Sequence, residues 1–375
     1  MSKIEIKKVE TKKDLKRFIR FPHKLYNGNP YWVPLLEFDE LNTLRKDKNP
    51  AFDYCEAEYW LAYRDNEPVG RIAAILNHKS NATWHQKYVR FGWVDFINDY
   101  EVVKALFSTA EEWGAAKGAE YIHGPMGFTD LDHEGMLVKG FDQISSIASI
   151  YNYDYYPLLV EKYGFRKDVD WVQYKIKVPE EIPEKVKKYS EWVTDRYNLK
   201  VIRAKRSKEL LPYAKKMFET MNQAFSVLYG YVELTPKQID YYIKQYFSFI
   251  NPDFVTLIVN NKEEVVAFAV TLPSLSKGMQ KANGHLLPWG WYHILKSLKT
   301  YDTVEMLLIG VHPDYQKKGV PAIIHYELHK NYLKYGVKYA ISSHQLEDNK
   351  IALNLWEMYL QKEQHIRRRA YIKKI

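Results

Sequence analysis

The chain has 375 residues, 46% of them hydrophobic, with one cysteine and a formal net charge of +9. That length exceeds what one core ordinarily serves, so two domains are expected, and the apolar share excludes a disordered chain. The lone Cys55 excludes an internal disulfide and a thiolate metal cluster, and we read it as simply buried. No apolar run is long enough to cross a bilayer and residues 1–8 lack a signal-peptide core, so a cytoplasmic protein without membrane contact is expected.

Residues 4–9 read as a strand and 12–26 as an amphipathic helix; 57–64 and 69–75 then form a hairpin about Asp65-Asn66-Glu67-Pro68. A helix over 101–117, a strand over 120–123, a helix over 155–163 and a strand over 170–176 come next. Between them, the glycines of 123–141 read as turn punctuation or as a ligand loop. The chain breaks at Val178-Pro179-Glu180-Glu181-Ile182-Pro183, charged and punctuated by proline. Beyond the break the same order returns. A strand at 200–203 and a helix at 207–225 precede a hairpin of 254–259 and 265–272 about Asn260-Asn261-Lys262-Glu263. The strand 304–311, helix 321–335, strand 338–342, helix 350–361 and strand 367–374 complete it.

This alternation predicts α/β architecture, a central mixed sheet flanked by helices, made twice. We place the halves at 1–178 and 199–375, with a linker helix over 179–198. The run Arg367-Arg368-Arg369 reads as a terminal strand with a solvated face rather than a nucleic-acid patch. The histidines, among them His78, His123, His133, His285 and His344, show no metal spacing, and no metal is expected. Leu286-Leu287-Pro288-Trp289-Gly290-Trp291-Tyr292-His293 is an aromatic insertion that either closes over a ligand or packs on the first half.

The segment with the most chemistry is Val304-Glu305-Met306-Leu307-Leu308-Ile309-Gly310-Val311 followed by His312-Pro313-Asp314-Tyr315-Gln316-Lys317-Lys318-Gly319-Val320-Pro321-Ala322. A strand feeding a Gly-containing turn and then a helix start aims unpaired N–H groups and the positive helix end at one spot, where a phosphate is stabilised. Pro321 removes one donor but fits a first helical turn. Lys317 and Lys318 offer further positive charge to a phosphate.

The segment resembles the diphosphate loop of the Gcn5-related N-acetyltransferase (GNAT) superfamily, in which Gln/Arg-x-x-Gly-x-Gly/Ala comes after a strand. Gln316 and Gly319 match, and Pro321 stands where the family has Gly or Ala. Tyr156-Pro157-Leu158-Leu159-Val160-Glu161-Lys162-Tyr163-Gly164-Phe165 is similar to the family's late helix, and Asn349-Lys350-Ile351-Ala352 to its counterpart in the second half. The whole order resembles tandem GNAT proteins, a plan shared by mycothiol-synthase-like enzymes and Fem-type aminoacyl transferases. No counterpart of the diphosphate loop is legible in the first half, so the cofactor is expected in the second.

The resemblance implies an N-acyltransferase, with acetyl-CoA or another acyl-CoA as co-substrate and a small-molecule or peptide amine as acceptor. It assigns the pantetheine arm to backbone groups of Ile309 and Val311, and the diphosphate to Gln316, Lys317, Lys318, Gly319, Val320 and Ala322. Asn349 would hydrogen-bond the arm or cap its helix. Glu305 would be the general base, since desolvation moves a carboxyl toward neutrality, where a base works best. The family's tyrosine acid is replaced by Trp356, which holds no transferable proton, so Tyr359, one turn on, is the nearest substitute. The alternatives are an aminoacyl or long-chain acyl transferase, the former with a tRNA donor, and a non-catalytic acyl-CoA-binding module. Otherwise no nucleic-acid partner is expected.

Overall fold

Apolar residues alternate along the early strands, and the two sets they create are buried on opposite faces of one sheet. The computed structural model describes residues 3–247, 250–350, 353 and 361–375. The chain forms two compact units.

Unit 1 comprises Met1–Val172, Leu275–Lys296 and His365–Ile375. In chain order its first elements are β1 (Glu5–Lys8), α1 (Lys12–Leu25), α2 (Glu37–Thr43), β2 (Cys55–Arg64), β3 (Glu67–Asn77), α3 (His78–Thr83), β4 (Tyr88–Phe96) and α4 (Tyr100–Ala116). Then come β5 (Tyr121–Gly124), β6 (Met136–Lys139), α5 (Tyr155–Tyr163) and β7 (Arg166–Lys177), whose last residues pass into unit 2. Trp60, Ala62, Ile72 and Ala74 point to one face and pack with Val102, Leu106 and Phe107 of α4. Tyr59, Leu61, Ala73 and Ile75 point to the other and pack with Leu15, Phe18 and Ile19 of α1. A period of two on the strands thus meets a helical stripe on each side. Helix α1 starts at a capping box, Thr11 and Asp14 exchanging bonds between side chain and backbone.

Unit 2 comprises Gln173–Ser274 and Ser297–Gln364. It holds α6 (Glu184–Arg196), β8 (Lys200–Val201), α7 (Leu211–Phe225), α8 (Pro236–Tyr246), β9 (Val255–Val259) and β10 (Val265–Pro273). Helices α9 (Ser276–Ala282) and α10 (Gly290–Ser297) leave for unit 1, α10 returning at its last residue. Strand β11 (Thr303–Val311), α11 (Pro321–Tyr335), β12 (Tyr339–Ile341), β13 (Gln345–Leu346) and β14 (Lys362–Lys374) complete the order, β14 crossing into unit 1 at His365. Val304 and Met306 pack against Ile323, Ile324, Leu328 and Tyr332 of α11 and against Val193 of α6.

Within unit 1 the pairs β1–β2, β2–β3, β3–β4 and β5–β14 are antiparallel and β4–β5 is parallel; within unit 2 β8–β9, β9–β10 and β10–β11 are antiparallel and β11–β12 is parallel. Within unit 1 the strand order is β1-β2-β3-β4-β5-β14-β7, and within unit 2 it is β7-β12-β11-β10-β9-β8. The mixed-sheet, twice-made architecture is the one expected. As a description of the repeated sequence order, boundaries at 178 and 199 are a proposal; the compact units are discontinuous in the chain.

The basic run departs from expectation. Arg367 and Arg369 are half-buried on β14, and both bond the carboxylate of Asp170 on β7, whose side chain is fully shielded. Arg368 faces the opposite way, is 1% exposed, and donates to the carbonyl of Ile150. This is no freely solvated face: on one side of β14 Arg367 and Arg369 are held by the shielded Asp170, and on the other Arg368 is buried. Cys55 is buried as read, and burial pushes its thiol up to about 12.

Candidate active site

In unit 2, β11 and β12 pair only at Thr303, Val304 and Glu305. Beyond Glu305, β11 continues with β10 alone, and the ladder slips between Val270 and Thr271, a bulge. Among the described residues no strand joins the other edge of Met306–Val311. An open strand edge is a row of backbone donors and acceptors awaiting an extended ligand. Ile309 and Val311, assigned from sequence to such a ligand, lie on it, although the Val311 carbonyl already accepts from the Gln316 side chain at 3.2 Å.

The strand runs into a 3-10 turn, Pro313–Tyr315, and then into the loop before α11, where Pro321 is the first helical residue. Gly319 sits at φ +75°, a left-handed conformation that costs an L side chain about 1–2 kcal/mol. Ala322 N–H is taken by the Gly319 carbonyl at 3.0 Å and Lys318 N–H by the Tyr315 carbonyl at 3.1 Å. Among the described residues, nothing accepts from the N–H groups of Lys317, Gly319 and Val320. Three donors next to a helix start make an anion nest. The Lys318 ammonium stacks over Tyr315 and Tyr197, while Lys317 is exposed.

Glu305 is 5% exposed, and its Oε1 accepts from the Ser274 hydroxyl at 2.6 Å. The strand therefore carries a buried carboxylate where the parallel pairing ends and the open edge begins. The Asn349 carbonyl accepts from Leu353 N–H at 3.0 Å, the bond that a residue in the capping position makes. Trp356 and Tyr359 lie outside the described residues.

Unit 1 has the corresponding strands with the opening closed. β4 and β5 pair at Tyr88, Val89 and Arg90, after which Met126 N–H bonds the Phe91 carbonyl at 2.8 Å. The fit is close enough that a Cβ on Gly92 would lie 2.6 Å from the Met126 carbonyl oxygen. The glycine-bearing loop after His123 is thus a plug for the strand gap. Helix α4 begins at Asp99, whose carboxylate accepts from Glu101 N–H and pairs with Arg64 at 2.7 Å. An acid on that helix start disfavours an anion there.

Unit 1 instead contains a cavity of about 70 Å³ on the α1 side of β4, lined by Tyr26, Trp32, Glu40, Arg71, Trp93 and Asp95 among others. Arg71 Nε donates to Asp95 at 2.7 Å, and Tyr26 donates to the same carboxylate at 2.8 Å. Tyr156 lies 2.8 Å from the Tyr26 hydroxyl and accepts from Phe96 N–H. Burial drives both tyrosines well up, so they act here as neutral hydrogen-bonding groups. Glu40 is raised by burial, and it accepts from the Trp93 indole at 2.8 Å. Trp93 itself holds φ +42° beside the slip between Arg71 and Ala73, strain of a kind that collects at functional sites. Sequence reasoning missed this cluster; its signal was Arg71 and Asp95, single charges inside apolar strands.

His123 bonds Asp168, His133 the Ile147 carbonyl and His329 the Pro179 carbonyl. Burial lowers all three, and they serve as neutral polar residues of the fold.

A mixed sheet flanked by helices, with the same order of strands made twice, is the tandem GNAT fold. A tandem GNAT protein from the clavulanic acid biosynthesis pathway superimposes at TM-score 0.54, 11% identical, covering 99% of this chain and 98% of that one. In sequence the chain is 29% identical to protein YghO of Escherichia coli strain K12, over 84% of this chain and 80% of YghO. It is 27% identical to the bacterial ceramide synthase of Caulobacter vibrioides, over 82% of this chain and 80% of that protein. No family model matches the chain.

Proposed function

We propose that the protein is an acyl-CoA-dependent N-acyltransferase whose donor site is in unit 2. The observation that carries this is the β11 edge, open among the described residues, leading into the N–H groups of Lys317, Gly319 and Val320, which no described residue accepts from. Bound acyl-CoA supplies an activated acyl carbon as a thioester. Backbone groups of Ile309 and Val311 hold its extended arm, with Asn349 alongside. The loop Gln316–Ala322, with Lys317 and Lys318, holds the diphosphate. Glu305 takes the proton that the amine loses, directly or through one water, and Ser274 fixes the carboxylate. The departing thiolate is protonated by water or by Tyr359.

The relative named as a ceramide synthase supports a finer form of this reading. A ceramide is the amide of a fatty acid and a long-chain amino alcohol, so a long-chain acyl donor and an amphiphilic amine form that form's substrate pair. We retain acetyl transfer to a small amine or peptide as the competing form.

Thermal melting with CoA, acetyl-CoA and palmitoyl-CoA tests the donor site, since a ligand binding only the folded state raises the melting temperature. Thiol release with a panel of amines, a long-chain amino alcohol included, tests the chemistry. Glu305→Gln is expected to lower turnover by about 10²–10⁴-fold with CoA affinity retained. No melting shift with any CoA ester overturns the donor site; unchanged turnover in Glu305→Gln overturns the base.

A further inference from the structure

The aromatic insertion of 286–293 is the part of the sequence that the transferase reading leaves without a task. Its stem is firmly seated within unit 1. Ser276 donates to the Ser145 carbonyl at 2.7 Å, and Gln280 donates to the carbonyls of Pro30 and Trp32. Glu37 N–H bonds the Gly284 carbonyl, and Asn283 meets His23 at 3.3 Å. Helix α10 is anchored by buried Ile294.

What the stem presents is apolar and exposed. Leu286, Leu287, Trp289, Trp291, Tyr292 and Leu295 are all exposed, Leu287 at 78% and Trp289 at 68%. Among the described residues, six of the sixteen exposed large hydrophobic ones thus fall within ten positions. Burying a Trp or Leu is worth far more than a stray exposed residue needs, so a contiguous set of this kind marks a contact surface.

The charges say what it contacts. Lys277, Lys281 and Lys296 flank the apolar residues and are exposed, and the sequence from 265 to 301 contains no Asp or Glu. Glu37, the acid that meets His285 of this segment at 3.4 Å, is held by Arg20 at 2.8 Å. Two copies meeting through this surface would bring like charges together, which opposes self-association. Trp and Tyr settle at the level of lipid headgroups, Leu enters the acyl boundary, and flanking lysines meet anionic phosphates. No helix among the described residues is long and apolar enough to cross a membrane, so contact would lie in the plane of the interface.

We propose that Leu286–Leu295, with its flanking lysines, docks the protein on an anionic phospholipid bilayer. This departs from the expectation of no membrane contact, because a sequence does not reveal which of these residues are left uncovered. His23 and Trp32, which seat the stem, also line the cavity of unit 1, so a docked bilayer lies against its rim. Docking of this kind requires no transferase activity.

The test is flotation of the full chain with phosphatidylcholine vesicles, with and without about a third phosphatidylglycerol. Expected are binding to the anionic vesicles, weakening with salt, and at least about tenfold weaker partitioning for Leu287→Ser/Trp289→Ser and for Lys277→Glu/Lys281→Glu. Bromine-labelled lipids should quench the wild-type tryptophan emission and quench Trp289→Phe/Trp291→Phe less, a readout that survives if the serine variant misfolds. Absence of binding to anionic vesicles overturns the proposal, as does binding that none of the substitutions changes. A dimer that Leu287→Ser/Trp289→Ser turns into a monomer, with no vesicle binding, also overturns it and assigns the surface to self-association.

Discussion

Replacing Asp170 with Asn removes one charge and almost no volume, at a point where the C-terminal strand is held into unit 1. The Asp170 side chain is fully shielded, with Arg367 Nη1 and Arg369 Nε each at 2.8 Å and Lys167 at 3.3 Å. Burial pushes its carboxyl up, but the guanidinium bonds outweigh that and hold it below the usual carboxylate range. Breaking a buried pair by deleting one partner costs about 3–5 kcal/mol. The two guanidiniums retain 29% and 24% exposure and Arg369 keeps Glu161 at 3.5 Å, so rehydration recovers part of that cost. We expect a net loss of about 2–3 kcal/mol after that discount. For a unit of roughly 200 residues this lowers the melting temperature by about 4–12 °C. Denaturant unfolding followed by near-ultraviolet dichroism measures it, with Asp170→Asn/Arg367→Gln/Arg369→Gln expected to recover part of the loss. The sign with pH is fixed. A lowered carboxyl stabilises above its unfolded value near 4 and loses that contribution as pH falls through its folded value, so wild type and variant converge in acid. A variant within about 0.5 kcal/mol of wild type at pH 7 would refute the claim that these arginines are structural.

Gly319→Ala places a Cβ 2.4 Å from the Tyr189 hydroxyl, which can swing away because Tyr189 is 47% exposed. The left-handed backbone remains, so about 1–2 kcal/mol of stability should be lost. CoA affinity should fall about 10–100-fold by calorimetry if the nest loses a bond to a charged oxygen; unchanged affinity would remove this loop from the donor site. His325, buried on α11, is lowered by burial to about 4. Its contribution is full above the unfolded value near 6.5 and is lost as pH falls toward 4, about 3 kcal/mol across that window. Denaturant titrations from pH 7 to 4 should show that slope, and His325→Gln should flatten it.

The fold was legible where a strand or helix keeps its period without interruption. The expected helix of 321–335 is α11 residue for residue, and the two hairpins fall where alternation put them. Strand β4 was not read, because Arg90, Gly92 and Asp95 break its apolar run. In the folded chain Arg90 is satisfied by the Gly127 carbonyl and the Ser80 hydroxyl, partners distant in sequence. The arginine run of β14 was misread for the same reason. Charge on a strand looks solvated until its counter-ion is known, and Asp170 stands 197 residues away from Arg367.

The same asymmetry decides how much of the site could be seen. The loop before α11 is made of neighbouring residues and offers backbone groups, so a turn signal and a strand were enough to single it out as a candidate. The cavity of unit 1 draws Tyr26, Glu40, Arg71, Asp95 and Tyr156 from five separate elements, and no spacing rule connects them. Strands β4 and β11 also lead into different chemistry. Asp99 occupies the α4 start that an anion would need, and Met126 fills the gap beside β4. Among the described residues of unit 2 the loop keeps three free donors and β11 an open edge. One unit has thus closed the features by which its twin would grip an anionic, extended ligand. What it retains is a shielded polar cluster in which Arg71, Asp95, Tyr26 and Tyr156 bond one another.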